Sequence, residues 1–195
     1  MESSAGMPAR AWLLTVLTAI TLGAPGAAAA QQPSRGWIAI SLGAGGQRGD
    51  GTIYKAGLVV ASSLDAGARI LGRLGVHGSF DLSRDASGEA YDLIYQGPAR
   101  YGLKGFAGGL TVDAGPARDP AVLRLGFGAG AYTVQGGFPL HRDITKLGLR
   151  LAADLRLATG RRTDLFLGFR PVLVPDALGE TLWMVPLVLT GRLRM

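Results

Sequence analysis

From Thr145 to Thr159 the chain reads TKLGLRLAADLRLAT. Leu147, Leu149, Leu151, Ala153, Leu155 and Leu157 alternate there with Lys146, Gly148, Arg150, Ala152, Asp154 and Arg156. A helix would scatter those leucines around its circumference, whereas a strand sends successive side chains to opposite faces. The segment therefore reads as a strand with one oily face and one charged or small face. It is longer than the usual five or six or so residues of a soluble strand, and it covers the roughly 9 to 11 that a tilted strand needs to cross a bilayer.

The same two-sided pattern recurs along the chain. ARILGRLGVHGSF (68–80) sets Ile70, Leu74, Val76 and Phe80 against Arg69, Arg73 and His77. AVLRLGFGAGAYT (121–133) opposes Leu123, Leu125, Phe127, Ala129 and Ala131 to Arg124, Gly126, Gly128 and Gly130. In TLWMVPLVLTGRLRM (181–195), Trp183, Val185, Leu187, Leu189 and Leu193 alternate with a row ending in Thr190, Arg192 and Arg194. Pro186 interrupts that last pattern, because it removes a ladder hydrogen bond unless it sits at an irregular pairing. Punctuation by Gly, Pro and polar residues then marks eight segments: 36–45, 52–62, 67–80, 99–113, 121–134, 145–158, 164–174 and 181–194. Between them, SSLDAG (62–67), AGPARDP (114–120) and GRRT (160–163) read as tight turns at every second junction. The alternate junctions include the longer stretches 81–98 and 135–144. Short turns at one rim and long loops at the other predict an all-β fold, an eight-stranded antiparallel up-and-down transmembrane β-barrel.

Composition agrees with short apolar strands. The chain has 195 residues, 48% of them hydrophobic and 17% charged, which excludes a disordered or acidic solvating chain. Mean hydropathy is +0.25, yet beyond residue 30 no apolar run approaches the roughly 18 to 20 residues of a transmembrane helix. The 31 glycines argue against a helical fold, since each interior helical Gly costs about 1 kcal/mol. With no cysteine there are no disulfides and no Cys-based metal sites. The +6 charge is carried by singly spaced arginines rather than an aromatic-studded basic run, so no nucleic-acid partner is expected. Residues 1–30 have the three parts of a secretory signal: Arg10 in a polar lead, an apolar core from Ala11 to Leu22, and Ala28 and Ala30 placed for cleavage before Gln31. That leaves 31–195 as the barrel domain.

With a signal peptide, alternating strands and a final strand at the C terminus, the chain resembles the small outer-membrane barrel superfamily of OmpA and OmpX type. The resemblance implies a bacterial outer-membrane location, outer-membrane lipid and lipopolysaccharide as surroundings, and insertion by the barrel-assembly machinery. That machinery usually reads a terminal aromatic residue, where this chain has Met195. A soluble lipocalin-like barrel alternates too, but it keeps its apolar residues inside. Arginines spaced opposite unbroken leucine rows favour the membrane version.

The inward row is then Arg69, Arg73, Arg124, Arg150, Asp154, Arg156 and Arg170. Eight strands leave an interior barely wide enough for side chains, so these residues are expected to form an internal plug, with a small solute or ion channel as the alternative. Trp37, Tyr54, Tyr132 and Trp183 fall near strand ends and fit interfacial anchors. His77 and Ser79 make an H-x-S pair on one strand face, similar to the motif of outer-membrane lipid A deacylases. That resemblance implies a hydrolase in which His77 is the general base for Ser79 and Asp81 or Glu89 is the orienting acid. The plainer reading is a lumen histidine hydrogen-bonded to its neighbours. GAGG and GFGAGA are followed by no helix, so they are not dinucleotide fingerprints, and no cofactor is expected. The leading expectation is a non-enzymatic barrel with a structural or surface-interaction role.

Overall fold

The computed structural model describes residues 36–49, 57–85, 102–114, 122–135, 143–177 and 179–195. The expected signal peptide, Tyr54 and Glu89 lie outside them. The strands are β1 (Gly36–Gly49), β2 (Gly57–Leu71), β3 (Leu74–Asp85), β4 (Gly102–Ala114), β5 (Leu123–Gln135), β6 (Asp143–Thr159), β7 (Thr163–Phe169), β8 (Val172–Ala177) and β9 (Glu180–Arg194). Each pairs antiparallel with the next around the ring, and β1 pairs with β9 to close it. Among the described strands no edge is left open.

Nine segments make eight walls, because β7 and β8 share one position between β6 and β9. Phe169 opposes Leu187 and Val172 opposes Met184, so the register on β9 runs straight through Arg170 and Pro171. Against β6 it does the same, from Ala153–Phe169 to Arg150–Val172. The interruption is therefore local. Pro171 has no N–H to give, and neither does Pro186, which lies across from Arg170. What survives is acceptance: Pro171 O takes the Leu151 N–H at 2.9 Å, and Pro186 O takes the Arg170 N–H at 3.1 Å.

Stepping from partner to partner fixes the barrel's shape. Ile38 leads through Ala66, Gly78, Gly108, Ala129, Leu149, Leu173 and Trp183 to Arg48, a stagger of ten residues along β1. Eight strands with that stagger tilt by about 40° and enclose a radius of roughly 8 Å. Such a wall has room inside only for its own side chains.

Polarity is inverted relative to a soluble barrel. Ile40, Leu64, Phe106, Phe127, Leu147, Leu151 and Leu187 all face outward and are about half exposed or more. Arg150, Arg170, Asp65 and Asp164 are buried inside.

Two sequence-based boundaries shift. SSLDAG is not a turn but the middle of β2, where Ser63 and Asp65 point inward and Leu64 and Ala66 outward. The actual turn is Gly72–Arg73, where Gly72 adopts φ +53°, a left-handed conformation that favours glycine. Arg73 therefore lies exposed in that turn and not in the lumen. Likewise Asp81 to Asp85 complete β3 rather than opening a loop. The rim holding Gly36 and Arg194, the near rim, also holds Gly72–Arg73 and the connections 115–122 and 160–162. The far rim holds 50–56, 86–101, 136–142 and the tight β8–β9 turn at Gly179.

Candidate functional site

The lumen is filled in layers. Midway along it, Arg150 donates to Asp65 at 2.8 Å and to Asp81 at 3.2 Å. Arg170, at the β7–β8 break, donates to Asp65 at 2.6 Å, to Asp154 at 3.1 Å, to Ser63 at 2.8 Å and to Thr190 at 3.1 Å. Asp65 thus holds two guanidiniums and also accepts from Ser63 at 2.9 Å. Below this, toward the near rim, Arg124 grips Asp113 through Nε at 2.6 Å and Nη2 at 3.1 Å, and Arg69 reaches the same carboxylate at 3.1 Å. Arg192 pairs with Asp164 at 3.0 Å, and Arg194 approaches it at 3.4 Å. Two of these cations rest on aromatic faces, Arg124 over Trp37 at 4.8 Å and Arg192 over Phe166 at 4.5 Å.

Among the described residues the network joins six arginines to five aspartates, so most of the lumen's charge is paired. The sequence pattern gives Asp154 as one counter-ion; the structure adds Asp65, Asp81, Asp113 and Asp164, which lie in or beside stretches that read as turns and loops. Their alternation with outward apolar residues was the signal. Arg156 is half-buried on the inward face of β6, and its backbone N–H donates to Val122 O at 2.8 Å.

Above the charges the lumen turns apolar, which nothing in the sequence reading anticipated. Leu103, Val134, Val172, Val174, Leu182 and Met184 pack there into one cluster with Tyr132. Tyr132 is fully buried, so it is not the interfacial anchor its place near a strand end suggested. Its ring lies across the backbones of Gly105 and Gly148, where any Cβ would collide with it, and its hydroxyl donates to Asp81 at 2.9 Å. The tyrosine therefore joins the apolar layer to the charged one. Trp37 also departs from the anchor expectation, since its inward parity puts it under Arg124. Trp183 does face outward, near the far rim, and is half exposed.

His77 and Ser79 both point into the lumen and are buried. Ser79 donates to Asp81 at 3.3 Å rather than to His77, and His77 Nδ1 has no partner among the described residues. His77 lines a small void with Thr111, Arg124, Arg150 and Asp154, with room for about one water. No acyl ester has room there.

No protein-family model matches the chain, and no curated protein sequence matches it. Solved structures do. Neisserial surface protein A superposes with a TM-score of 0.64 at 12% identity, over 85% of this chain and 100% of that one. The chain has the fold of the small outer-membrane β-barrels. Ail, the attachment invasion locus protein of Yersinia pestis, matches this barrel with a TM-score of 0.55 at 16% identity, over 83% of this chain and 99% of Ail. At such identities the small outer-membrane barrels share with this chain a wall and not a site.

Proposed function

We propose that this chain is an outer-membrane protein, exported by the leader at residues 1–30, whose barrel is a sealed, non-catalytic scaffold for its far-rim loops. The observation that carries this reading is the inverted polarity, a wall of outward leucines and phenylalanines around a lumen of paired charges and packed apolar residues. An outward apolar wall of this extent needs lipid against it. Among the described residues the layered lumen is filled by its own side chains, which supports assigning work at the surface to 50–56, 86–101 and 136–142. Its surroundings are outer-membrane lipid and lipopolysaccharide, it meets the barrel-assembly machinery during insertion, and nucleic acid has no part.

An epitope inserted within 86–101 tests both halves of the reading. The tagged protein should fractionate with outer membranes and be stained by antibody on intact cells. Recovery from the soluble periplasmic pool would overturn the location. Outer-membrane recovery without staining of intact cells would overturn the assignment of the far rim to the cell surface.

A further inference from the structure

Charge is spread unevenly along the barrel axis, and the inference drawn from this rests on the outer-membrane reading, which turns the near rim toward the periplasm. In the middle of the lumen two arginines, Arg150 and Arg170, meet three aspartates, Asp65, Asp81 and Asp154. Toward the near rim the ratio reverses. Four arginines share two aspartates there, Arg69 and Arg124 on Asp113, and Arg192 and Arg194 on Asp164. The second cluster is short of acceptors, since Arg194 Nε stands 3.4 Å from Asp164 and makes no hydrogen bond among the described residues. Backbone bonds set further arginines over each cluster. Asp113 N–H donates to Arg73 O at 3.0 Å, which ties the turn Gly72–Arg73 to the first, and Arg194 N–H donates to Arg162 O at 2.8 Å, which ties 160–162 to the second. Arg73, Arg161 and Arg162 are exposed, and neither turn contains an acid. The connection 115–121 adds Arg118 and Asp119, which leave the balance as it is.

The strand positions that face lipid near this rim, among them Ile38, Ile70, Val112, Leu157 and Leu193, are apolar. The cations therefore stand at the turn tips and inside the mouth, not on the flank through which a barrel meets phospholipid, so their partner comes from the aqueous side. The β2–β3 and β6–β7 turns are four walls apart in a ring of eight, and across a radius of roughly 8 Å their backbones stand about 16 Å apart. A single small anion cannot reach both turns, whereas an extended chain of about five residues can. We propose that the near rim docks an acidic peptide segment of a periplasmic partner, with carboxylates on Arg69 and Arg73 at one side and on Arg161 and Arg162 at the other. Carboxylate is the ligand that the neighbouring guanidiniums already take from Asp113 and Asp164, and the planar fork of arginine suits it.

The test uses the full barrel folded into phosphatidylcholine nanodiscs, with binding of a fluorescein-labelled octaglutamate peptide followed by anisotropy. The parent should bind the peptide, release it as salt is raised, and ignore an octaserine control. The triple variant Arg73→Gln, Arg161→Gln, Arg162→Gln should weaken binding about tenfold. Arg48→Gln, Arg84→Gln, Lys104→Gln, which removes cations near the far rim, should leave it unchanged. Parental binding by the near-rim variant, or equal weakening by both variants, overturns the site. Free glutamate that competes as well as the peptide per carboxylate overturns the span across the mouth. Tighter binding of a polyphosphate chain of equal charge gives the rim to a phosphate polymer, and phosphatidylglycerol retained by the parent but not by the near-rim variant in native mass spectrometry gives it to lipid; either overturns the acidic peptide. Folding is read separately, by heat-dependent gel mobility. A parent that fails to fold into bilayers contradicts the outer-membrane reading, whereas a folded parent without affinity for octaglutamate contradicts only this inference.

Discussion

Asp65 is the residue on which most of the lumen's charge balance turns, since Arg150 and Arg170 both close on it. Asp154 contributes to Arg170 only. Removing one partner of a buried pair costs about 3–5 kcal/mol, because the charge left behind stays desolvated. Asp65→Asn should therefore lower the urea midpoint of the folded barrel in vesicles more than Asp154→Asn does, while both variants still insert. An unchanged midpoint for Asp65→Asn would mean that water already neutralises the pair. The residue was hard to find in the sequence for a physical reason. Ser62, Ser63, Asp65 and Gly67 have turn chemistry in a soluble protein, but in a wall whose polar face is inside, Ser63, Asp65 and Gly67 are ordinary inward residues. His77 was legible as an inward side chain from parity alone; that Ser79 turns to Asp81 was not, because parity says nothing about which neighbour a hydroxyl selects.

At the scale of elements, β6 was the most legible because its two rows differ most. Leu151 lies in its outward row, half exposed, and a charge placed at mid-bilayer on a strand's lipid face costs roughly 2–4 kcal/mol. Leu151→Arg should fail to acquire heat-resistant gel mobility in vesicles, whereas Arg84→Leu, near the far rim, should acquire it normally. Insertion of both would contradict the depth assigned to β6. The β2–β3 hairpin was the least legible element. Its two-residue turn is marked by one glycine among 31, and Ile70, Leu74 and Val76 keep their outward parity through it, so the alternation gives no warning of the reversal. Gly72→Val forces a β-branched residue to φ +53° and should destabilise the barrel by at least about 1 kcal/mol, read as a lower urea midpoint. A parental midpoint would show that the turn relaxes to another form. The seventh wall was readable as one strand despite its two prolines, because Asp164, Phe166, Gly168, Arg170, Val172 and Val174 keep one parity across Pro171.

For the molecule as a whole, the question is which layer closes it. Ion pairs alone make a poor seal, since a charged lumen takes up water and small ions readily once a pair opens. An apolar constriction of this width resists wetting, and Val59, Tyr132, Val174 and Ala177 are wholly inaccessible at the far end of the lumen. At the near rim the Arg69 side chain is 37% exposed, whereas Arg192 and Asp164 stay buried. On the sealed reading, the apolar layer is therefore the stopper. The parent protein should show no current in planar bilayers, and neither should Asp154→Asn, because the stopper is intact in both. Replacing the stopper with small polar side chains, as in Leu103→Ser, Val174→Ser, Leu182→Ser, should produce discrete conductance steps. Val174→Ser alone perturbs folding less and should give rarer openings. Steps from the parent would overturn the sealed reading and make transport the leading function. Steps from Asp154→Asn with a silent stopper variant would place the barrier in the ion pairs instead.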